Sequence, residues 1–394
     1  MEIDKCNICS GVSEEIFKLA FSDLQGIQKI KYIQKLCFCK KCGFLFTSNP
    51  FSEEQLSNRY KNFSKFEFDT IDYTLEEADG YKKRCTRQFN FINAAVGDGF
   101  SSILEIGAAS GYNLSLYSDK EVYGIEPSLR NCQLAQKRYH VSMYNGMFAE
   151  FIAKADLKKY DLIFLSHVLE HIVNPCDFIL DCKRICNKYI FIEVPSLDYK
   201  FVEEPMGIFC EEHVNYFTLE SLSNLMNSVG FELVDINCIF GLHDNLPAGW
   251  PAISTIWEFK ENTPLRQRKA ILDSELIIKK YIDKNIIALN ELKKVIDQIP
   301  GDKKLAVWGT GHHASMLLAN TSLAEKNIVR VYDSDIRKHV YTFNGVSICS
   351  FNENDIYDKK IDCILVATYT AQKAISRILD KYKDLCEIYY LYDL

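Results

Sequence analysis

The chain has 394 residues, enough for two or three domains with separate cores, and its 47% hydrophobic and 25% charged residues are those of an ordinary globular protein. A net charge of -7 with no balancing basic stripe argues against nucleic acid as a main partner, and no apolar run approaches the roughly 18–20 residues that cross a bilayer. The start Met1-Glu2-Ile3-Asp4-Lys5 is acidic and polar, unlike a signal peptide, so the fifteen cysteines are expected in a reducing cytoplasm, binding metal rather than forming disulfides.

Residues 1–75 are short on regular periodicity and rich in cysteine and aromatics. They carry two knuckles, Cys6-Asn7-Ile8-Cys9 and Cys39-Lys40-Lys41-Cys42-Gly43. Two residues between thiolates let both sulfurs face one ion, and four such sulfurs close a tetrahedral zinc site with no open position, so the metal is expected to be structural. Cys37 competes with Cys39 as a ligand. Iron–sulfur ligation uses related spacings, and buried metal-free thiols are the plain alternative.

From residue 76 to 260, strand-like runs alternate with helical ones: Ser102–Ile106, Glu121–Ile125, Leu162–Ser166, Lys188–Val194 and Phe231–Ile239. Such alternation predicts a parallel sheet covered by helices. The first run continues as Glu105-Ile106-Gly107-Ala108-Ala109-Ser110-Gly111, and Glu126 follows fifteen residues after Gly111 at the tip of the next strand. Glycines let a backbone approach a ligand closely. An acid at the second strand tip can accept hydrogen bonds from a ribose diol. The loop lacks the G-x-G-x-x-G spacing that prepares a helix for a pyrophosphate. With Glu105 placed to meet a cationic amino-acid end, it suits S-adenosylmethionine. The third run leads into Ser166-His167-Val168-Leu169-Glu170-His171, which places Ser166 and His167 at the cofactor pocket and His171 near the reacting groups. After Glu193-Val194-Pro195 comes Cys210-Glu211-Glu212-His213, where a Glu-His pair can supply a base and the group that orients it. His243 reads as a wall residue.

Residues 261–302 predict a long connecting helix ended by Ile299-Pro300-Gly301-Asp302, and residues 303–394 form a second α/β unit. That unit opens with a strand and Gly309-Thr310-Gly311-His312-His313-Ala314, and Asp333 stands 22 residues past Gly311. This passes the dinucleotide test taken alone, so an NAD-dependent oxidoreductase is one alternative. His312 and His313 reaching a substrate phosphate is another.

From about Gly80 to Phe240 the chain resembles the class I S-adenosylmethionine-dependent methyltransferases. A two-knuckle zinc region, this core and a C-terminal Rossmann-like unit, in that order, resemble the sugar C-methyltransferases that act on nucleotide-linked keto-deoxysugars. The resemblance implies an α/β architecture of three parts. It also implies a small nucleotide-linked sugar as partner, a monomer or small homo-oligomer, and Glu212, His213 and His171 around the sugar. His213 would be the base for an enolate route, Glu212 would orient it, and His171 would help to hold the oxyanion. The family carries a tyrosine two residues before the glutamate where this chain has Cys210, which keeps sugar O-methylation open. A scaffold protein with a residual fold is the non-enzymatic alternative, against which intact Glu105, Gly107, Gly111 and Glu126 weigh.

Overall fold

The computed structural model describes residues 5–22, 32–52, 54–55, 79–154, 157–197, 205–239, 251–260 and 272–392. His243, residues 56–75 of the N-terminal region and residues 261–271 of the expected connecting helix lie outside them. Two compact units divide the chain. The first comprises Met1–Glu15, Cys37–Lys200 and Glu212–Ile278, and the second Ile16–Leu36, Phe201–Glu211 and Lys279–Leu394. Each unit draws on non-contiguous segments, a feature that sequential boundaries at 75, 260 and 302 do not express.

Three strands open the chain, β1 (Ser13–Phe21), β2 (Tyr32–Cys39) and β3 (Phe44–Thr47). The short period-2 runs of Tyr, Ile, Leu and Phe here were masked in the sequence by the cysteine knuckles between them. Helix α1 (Asp79–Val96) buries Cys85, Gln88 and Ile92 along one face, at helical spacing. Then follow β4 (Ser102–Ile106), α2 (Tyr112–Ser115), β5 (Glu121–Glu126), α3 (Leu129–Leu134), β6 (Met143–Asn145), α4 (Phe148–Ile152) and β7 (Tyr160–Ser166). Next come α5 (Pro175–Arg184), β8 (Cys186–Pro195), β9 (Asn215–Tyr216), α6 (Leu219–Ser228), β10 (Phe231–Ile239) and β11 (Ala252–Phe259). Helix α5 starts on Pro175, whose fixed φ suits a first helical position. Thr218 caps α6, its hydroxyl accepting from Ser221 N and its own N–H donating to Ser221 Oγ.

Seven strands form one sheet in the order β10-β11-β8-β7-β4-β5-β6. The strands expected from the alternation are all present, and the central ones pair in parallel. Strand β11, absent from the sequence reading, inserts antiparallel between β8 and β10 and makes the sheet mixed. Three-residue β6, also unread, closes the other edge beside β5. Both faces of the sheet are packed. Leu104, Ile163, Leu165 and Ile190 join one core, and Ile103, Leu162, Phe164 and Phe191 the other. Alternation with apolar residues on both faces is what a doubly covered sheet requires. Phe164 and Phe191 pack with their rings tilted and their centroids 4.5 Å apart. Phe164→Ala is the kind of change that costs about 3–5 kcal/mol.

The second unit includes most of α7 (Leu272–Asp297), then β12 (Leu305–Trp308), α8 (His312–Asn320), β13 (Ile328–Tyr332), β14 (Thr342–Phe343) and β15 (Val346–Cys349). It ends with α9 (Asn354–Tyr357), β16 (Cys363–Val366), α10 (Gln372–Leu379) and β17 (Glu387–Tyr390). Its sheet order is β14-β15-β13-β12-β16-β17, with β12 parallel to both neighbours. The 26-residue α7 occupies most of the expected connecting-helix span. Among the described residues no helix is long and apolar enough to cross a membrane.

Candidate active site

The carboxyl ends of β4, β5, β7 and β8 bring together most of the residues singled out in the sequence. The turn after β4 is built around Gly107 (φ +76°) and Gly111 (φ +79°), a backbone region that L side chains avoid. A Cβ on Gly107 would stand 2.9 Å from Val168 Cγ2, and one on Gly111 would stand 2.9 Å from Ala135 Cβ. The N–H groups of Gly107 and Ala108 donate to Ile125 O at the end of β5, holding the loop over the sheet edge. Glu126 accepts from Ala109 N and Ser128 N, each at 2.9 Å, one on each carboxylate oxygen. Its carboxylate is thereby fixed at the rim of the loop.

Glu105 is 4% exposed. Oε1 accepts from Asn113 Nδ2 at 3.0 Å, whereas Oε2 is buried with no hydrogen-bond partner. Burial pushes this carboxyl up to about 8, only partly offset by Asn113. An orphaned, buried acid at the glycine loop fits a ligand that carries an ammonium group. The residues present therefore suit S-adenosylmethionine, whose amino-acid end Glu105 could hold and whose ribose Glu126 could hold.

Ser166 and His167 lie at the end of β7. Ser166 Oγ accepts from Gln88 Nε2 at 2.8 Å. His167 has φ +54°, a strained conformation for a residue with a Cβ. Its ring sits between two acids, Nδ1 3.2 Å from Glu170 Oε1 and Nε2 3.4 Å from Glu193 Oε1. Burial disfavours the charged ring, but these two carboxylates outweigh it and raise the His167 pKa above its ordinary value. Glu193 is fully buried and gripped by both terminal nitrogens of Arg87, at 2.9 and 3.2 Å, with Ser254 Oγ donating as well. Against the cost of burial, His167 and Arg87 hold its carboxyl far below the usual range.

The 3-10 turn Leu169–His171 presents Glu170 and His171. His171 and His213 meet edge to face with ring centroids 4.9 Å apart. Glu170, His171 and His213 each bring one donor atom within 4.8 Å of the others. His171 Nδ1 faces the Glu212 main-chain oxygen at 3.1 Å, so Glu212 reaches this cluster through its carbonyl. Against burial, the His167 hydrogen bond and the nearby rings of His171 and His213 hold the Glu170 carboxyl down to about 2. The sequence reading gave no role to Glu170, Glu193, Arg87 or Gln88. Glu193 at a strand end, buried by its apolar neighbours, was the available signal.

The His213 segment is also tied to the cysteine region. Val214 N donates to Glu170 O and Thr47 N to Val214 O, both at 2.7 Å, and β9 pairs with β3. Asn224 Nδ2 donates to Cys42 O at 3.1 Å. The sulfurs of Cys6, Cys9, Cys39 and Cys42 converge, with Cys6–Cys42 at 3.4 Å and Cys9–Cys39 at 3.5 Å, and all lie within 4.8 Å. A tetrahedral zinc with bonds of about 2.3 Å needs sulfurs about 3.8 Å apart, so this donor set fits. Ser10 (φ +52°) and Gly43 (φ +69°), each one residue past the second cysteine of a knuckle, make the tight returns. Cys39 rather than Cys37 belongs to this group.

In the second unit, Gly309 has φ +105° and a Cβ there would meet Thr368 Cβ at 3.0 Å. The Asp333 carboxylate already accepts from Thr310 N, Thr310 Oγ1, Lys338 Nζ and Asp335 N. His312 faces Glu211 Oε2 at 3.1 Å and Phe209 O at 2.7 Å. His313 is buried against Tyr392, and that burial pushes its pKa down to about 3. The buried Cys210 accepts from Gln34 Nε2 through its carbonyl.

Residues 76–236 match the family described as "Methyltransferase domain", and residues 301–384 match one described as "C2185-like, N-terminal". No curated protein matches the chain. Among solved structures it is similar to magnesium protoporphyrin IX methyltransferase (ChlM) from Synechocystis PCC 6803 with bound SAH, at 13% identity and TM-score 0.37, over 48% of this chain and 91% of that one. It is similar to N-methyltransferase NodS from Bradyrhizobium japonicum WM9 at 14% identity and TM-score 0.35, over 48% of this chain and all of that one. The N-terminal domain of EvdMO1, solved in the presence of SAH and D-fucose, aligns at 18% identity and TM-score 0.34, over 54% of this chain and 98% of that one. The family match over residues 76–236 makes this segment of the chain a methyltransferase domain.

Proposed function

We propose that the chain methylates a nucleotide-linked keto-deoxysugar at carbon, beside the keto group, and that its four cysteines hold a structural zinc ion. The observation that supports this reading best is the His171–His213 pair, set at the carboxyl edge of the sheet and hydrogen-bonded through β9 to β3, the strand that follows the Cys39–Cys42 knuckle. When bound, S-adenosylmethionine supplies an electrophilic methyl group. His213 takes the proton from the carbon next to the carbonyl, and the electron pair of that C–H bond becomes an enolate. His171 is held in place by Nδ1–H donating to the Glu212 carbonyl, and as the imidazolium it would hold the developing oxyanion through Nε2–H. The carbon nucleophile must be aligned with the methyl group at about 3 Å, so the walls that position the sugar carry much of the acceleration. Glu212 supports the base from the same segment. Cys6, Cys9, Cys39 and Cys42 leave a bound zinc no open position, so the ion stabilises and takes no part in the chemistry.

Sugar O-methylation is the second reading, and Cys210 favours it, because a thiol is a weak hydrogen-bond donor and offers an enolate neither the reach nor the donor strength of a phenol. It would use the same base on a hydroxyl proton. NAD-dependent oxidation at the C-terminal loop is disfavoured, since four donors already engage the Asp333 carboxylate that would bind a ribose.

Mass spectrometry and NMR of products from a panel of nucleotide-linked keto-deoxysugars test the reading. A new carbon–methyl bond is expected; a methyl ether would move the assignment to O-methylation. His213→Ala is expected to lose about 10²–10⁴-fold in turnover while keeping S-adenosylmethionine affinity. Near-normal turnover in that variant would remove His213 from the mechanism.

A further inference from the structure

We infer that Arg84 receives the α-carboxylate of the methyl donor, so that Arg84 and Glu105 together form a site for an amino-acid zwitterion and select against a donor that lacks the acid. The inference deepens the S-adenosylmethionine part of the reading above and rests on it, and it is independent of the acceptor. Two opposite charges left apart carry it. Glu105 Oε2 is buried with no hydrogen-bond partner, and the half-buried Arg84 has a buried Nε with none either. Among the described residues no carboxylate forms an ion pair with the Arg84 guanidinium, whereas Arg87, one turn on, is matched by Glu193 at 2.9 Å. The Arg84 charge still reaches Glu105, where burial dominates and Asn113 and then Arg84 oppose it. Arg84 therefore lies near Glu105 without being joined to it.

Local structure explains the separation. On α1, Arg84 stands three residues before Arg87 and four before Gln88, so the three share one face. Gln88 Nε2 donates to Ser166 Oγ and Arg87 grips Glu193, which turns that face toward the carboxyl ends of β7 and β8. The guanidinium carbon of Arg84 lies 5.2 Å from the centre of the Tyr81 ring. Tyr81 in turn packs on Tyr112, the first residue of α2, with centroids 6.0 Å apart. These contacts hold the guanidinium beside the glycine loop, while β4 and the Asn113 amide hold Glu105. Opposite charges at one pocket, each short of a partner, are costly unless a ligand completes them. An α-amino acid does so with a single carbon. Its ammonium meets Glu105, and the carboxylate on the same carbon meets the guanidinium, whose fork matches two oxygens. A lone anion would be repelled by an ionised Glu105 and a lone amine by Arg84, so the pair favours a zwitterion.

The test is calorimetry on the full chain with S-adenosylmethionine and with its decarboxylated analogue, which keeps the sulfonium and the amino group but lacks the α-carboxylate. Wild type is expected to bind S-adenosylmethionine about tenfold or more tightly than the analogue. Arg84→Gln is expected to weaken S-adenosylmethionine binding by about 10–100-fold, as for a lost hydrogen bond to a charged group. The same variant should leave the affinity for the analogue unchanged or raise it, since a cation beside the ammonium is gone. Arg84→Lys, with the charge but no fork, should fall between. Equal losses for both ligands in Arg84→Gln, or no loss for S-adenosylmethionine, overturn the assignment. If Arg84→Gln shows no cooperative thermal transition, Arg84→Lys decides: a preference for the carboxylate-bearing ligand smaller than in wild type supports the inference, and an unchanged preference overturns it. Failure of wild type to bind either ligand overturns it together with the S-adenosylmethionine reading. A chain that binds S-adenosylmethionine but methylates no sugar in the panel loses only the sugar reading.

Discussion

Glu105 is a buried carboxyl that holds its proton well above the usual range. Burial pushes its carboxyl up to about 8, well above the 4.5 of a solvated glutamate. Between those two pH values the folded state holds a proton that the unfolded chain has released, so stability falls as pH rises. The stabilisation is complete below about pH 4.5 and is lost as pH passes through about 8. The unfolding midpoint of the ligand-free protein is therefore expected to drop across this window more steeply in wild type than in Glu105→Gln. Saturating S-adenosylmethionine should flatten the wild-type slope, because its ammonium group supplies the missing countercharge. Equal slopes in wild type and variant would show that Glu105 is not the titrating group. Glu126 differs, since both of its carboxylate oxygens are already ordered as acceptors by Ala109 N and Ser128 N. Glu126→Ala is expected to weaken S-adenosylmethionine binding by about 1.5–3 kcal/mol, read by calorimetry. An unchanged dissociation constant would place the ribose elsewhere.

At the scale of elements, the short β3–β9 pair links the cysteine cluster to the His171–His213 pair. Leu45 pairs with Tyr216 and Phe46 with Asn215, and Asn215 Nδ2 donates back to Leu169 O and Ile172 O around the Glu170 turn. A zinc ion on Cys6, Cys9, Cys39 and Cys42 would brace that arrangement from one end. Metal analysis of the purified chain is expected to give one zinc per chain. Cys9→Ser should lose the ion, unfold several degrees lower and turn over more slowly, with S-adenosylmethionine affinity nearly kept. Iron with visible absorbance in the wild-type protein would refute the zinc assignment. This linkage was only half legible in the sequence. The knuckle spacing pointed to four convergent sulfurs, and the strand–glycine–strand pattern pointed to Glu105 and Glu126, because both are local periodicities. That the His213 segment would pair with β3 depends on a two-residue strand far along the chain, which leaves no periodic trace. Glu170 and Arg87 were hidden for a related reason, since their importance comes from burial and from partners distant in sequence.

For the whole molecule, the alternation of strands and helices conveyed the central sheet well. It missed β11, although Pro247, Gly249 and Pro251 punctuate the approach to its Ala252–Phe259 run and Pro264 follows it. It also could not convey that the second unit recruits residues 16–36 and 201–211 from far upstream. Within that unit Phe21 packs on His312 with ring centroids 5.1 Å apart, and Asn320 Nδ2 donates to Ala20 O at 2.7 Å. Ser22 N donates to Ser315 O at 3.3 Å, and Glu211 faces His312 at 3.1 Å. Every one of these contacts needs a residue beyond 302. A chain ended at Asp302, which a sequential division would treat as a clean methyltransferase fragment, loses them all at once. It would expose the fully or nearly buried Ala20 and Phe21 and leave the Glu211 carboxylate without His312. The truncated chain is therefore expected to aggregate or to unfold at a lower temperature than the full chain, by light scattering and calorimetry. Residues 1–302 giving a soluble monomer with full-length thermal stability would show instead that the upstream segments fold without the C-terminal sheet.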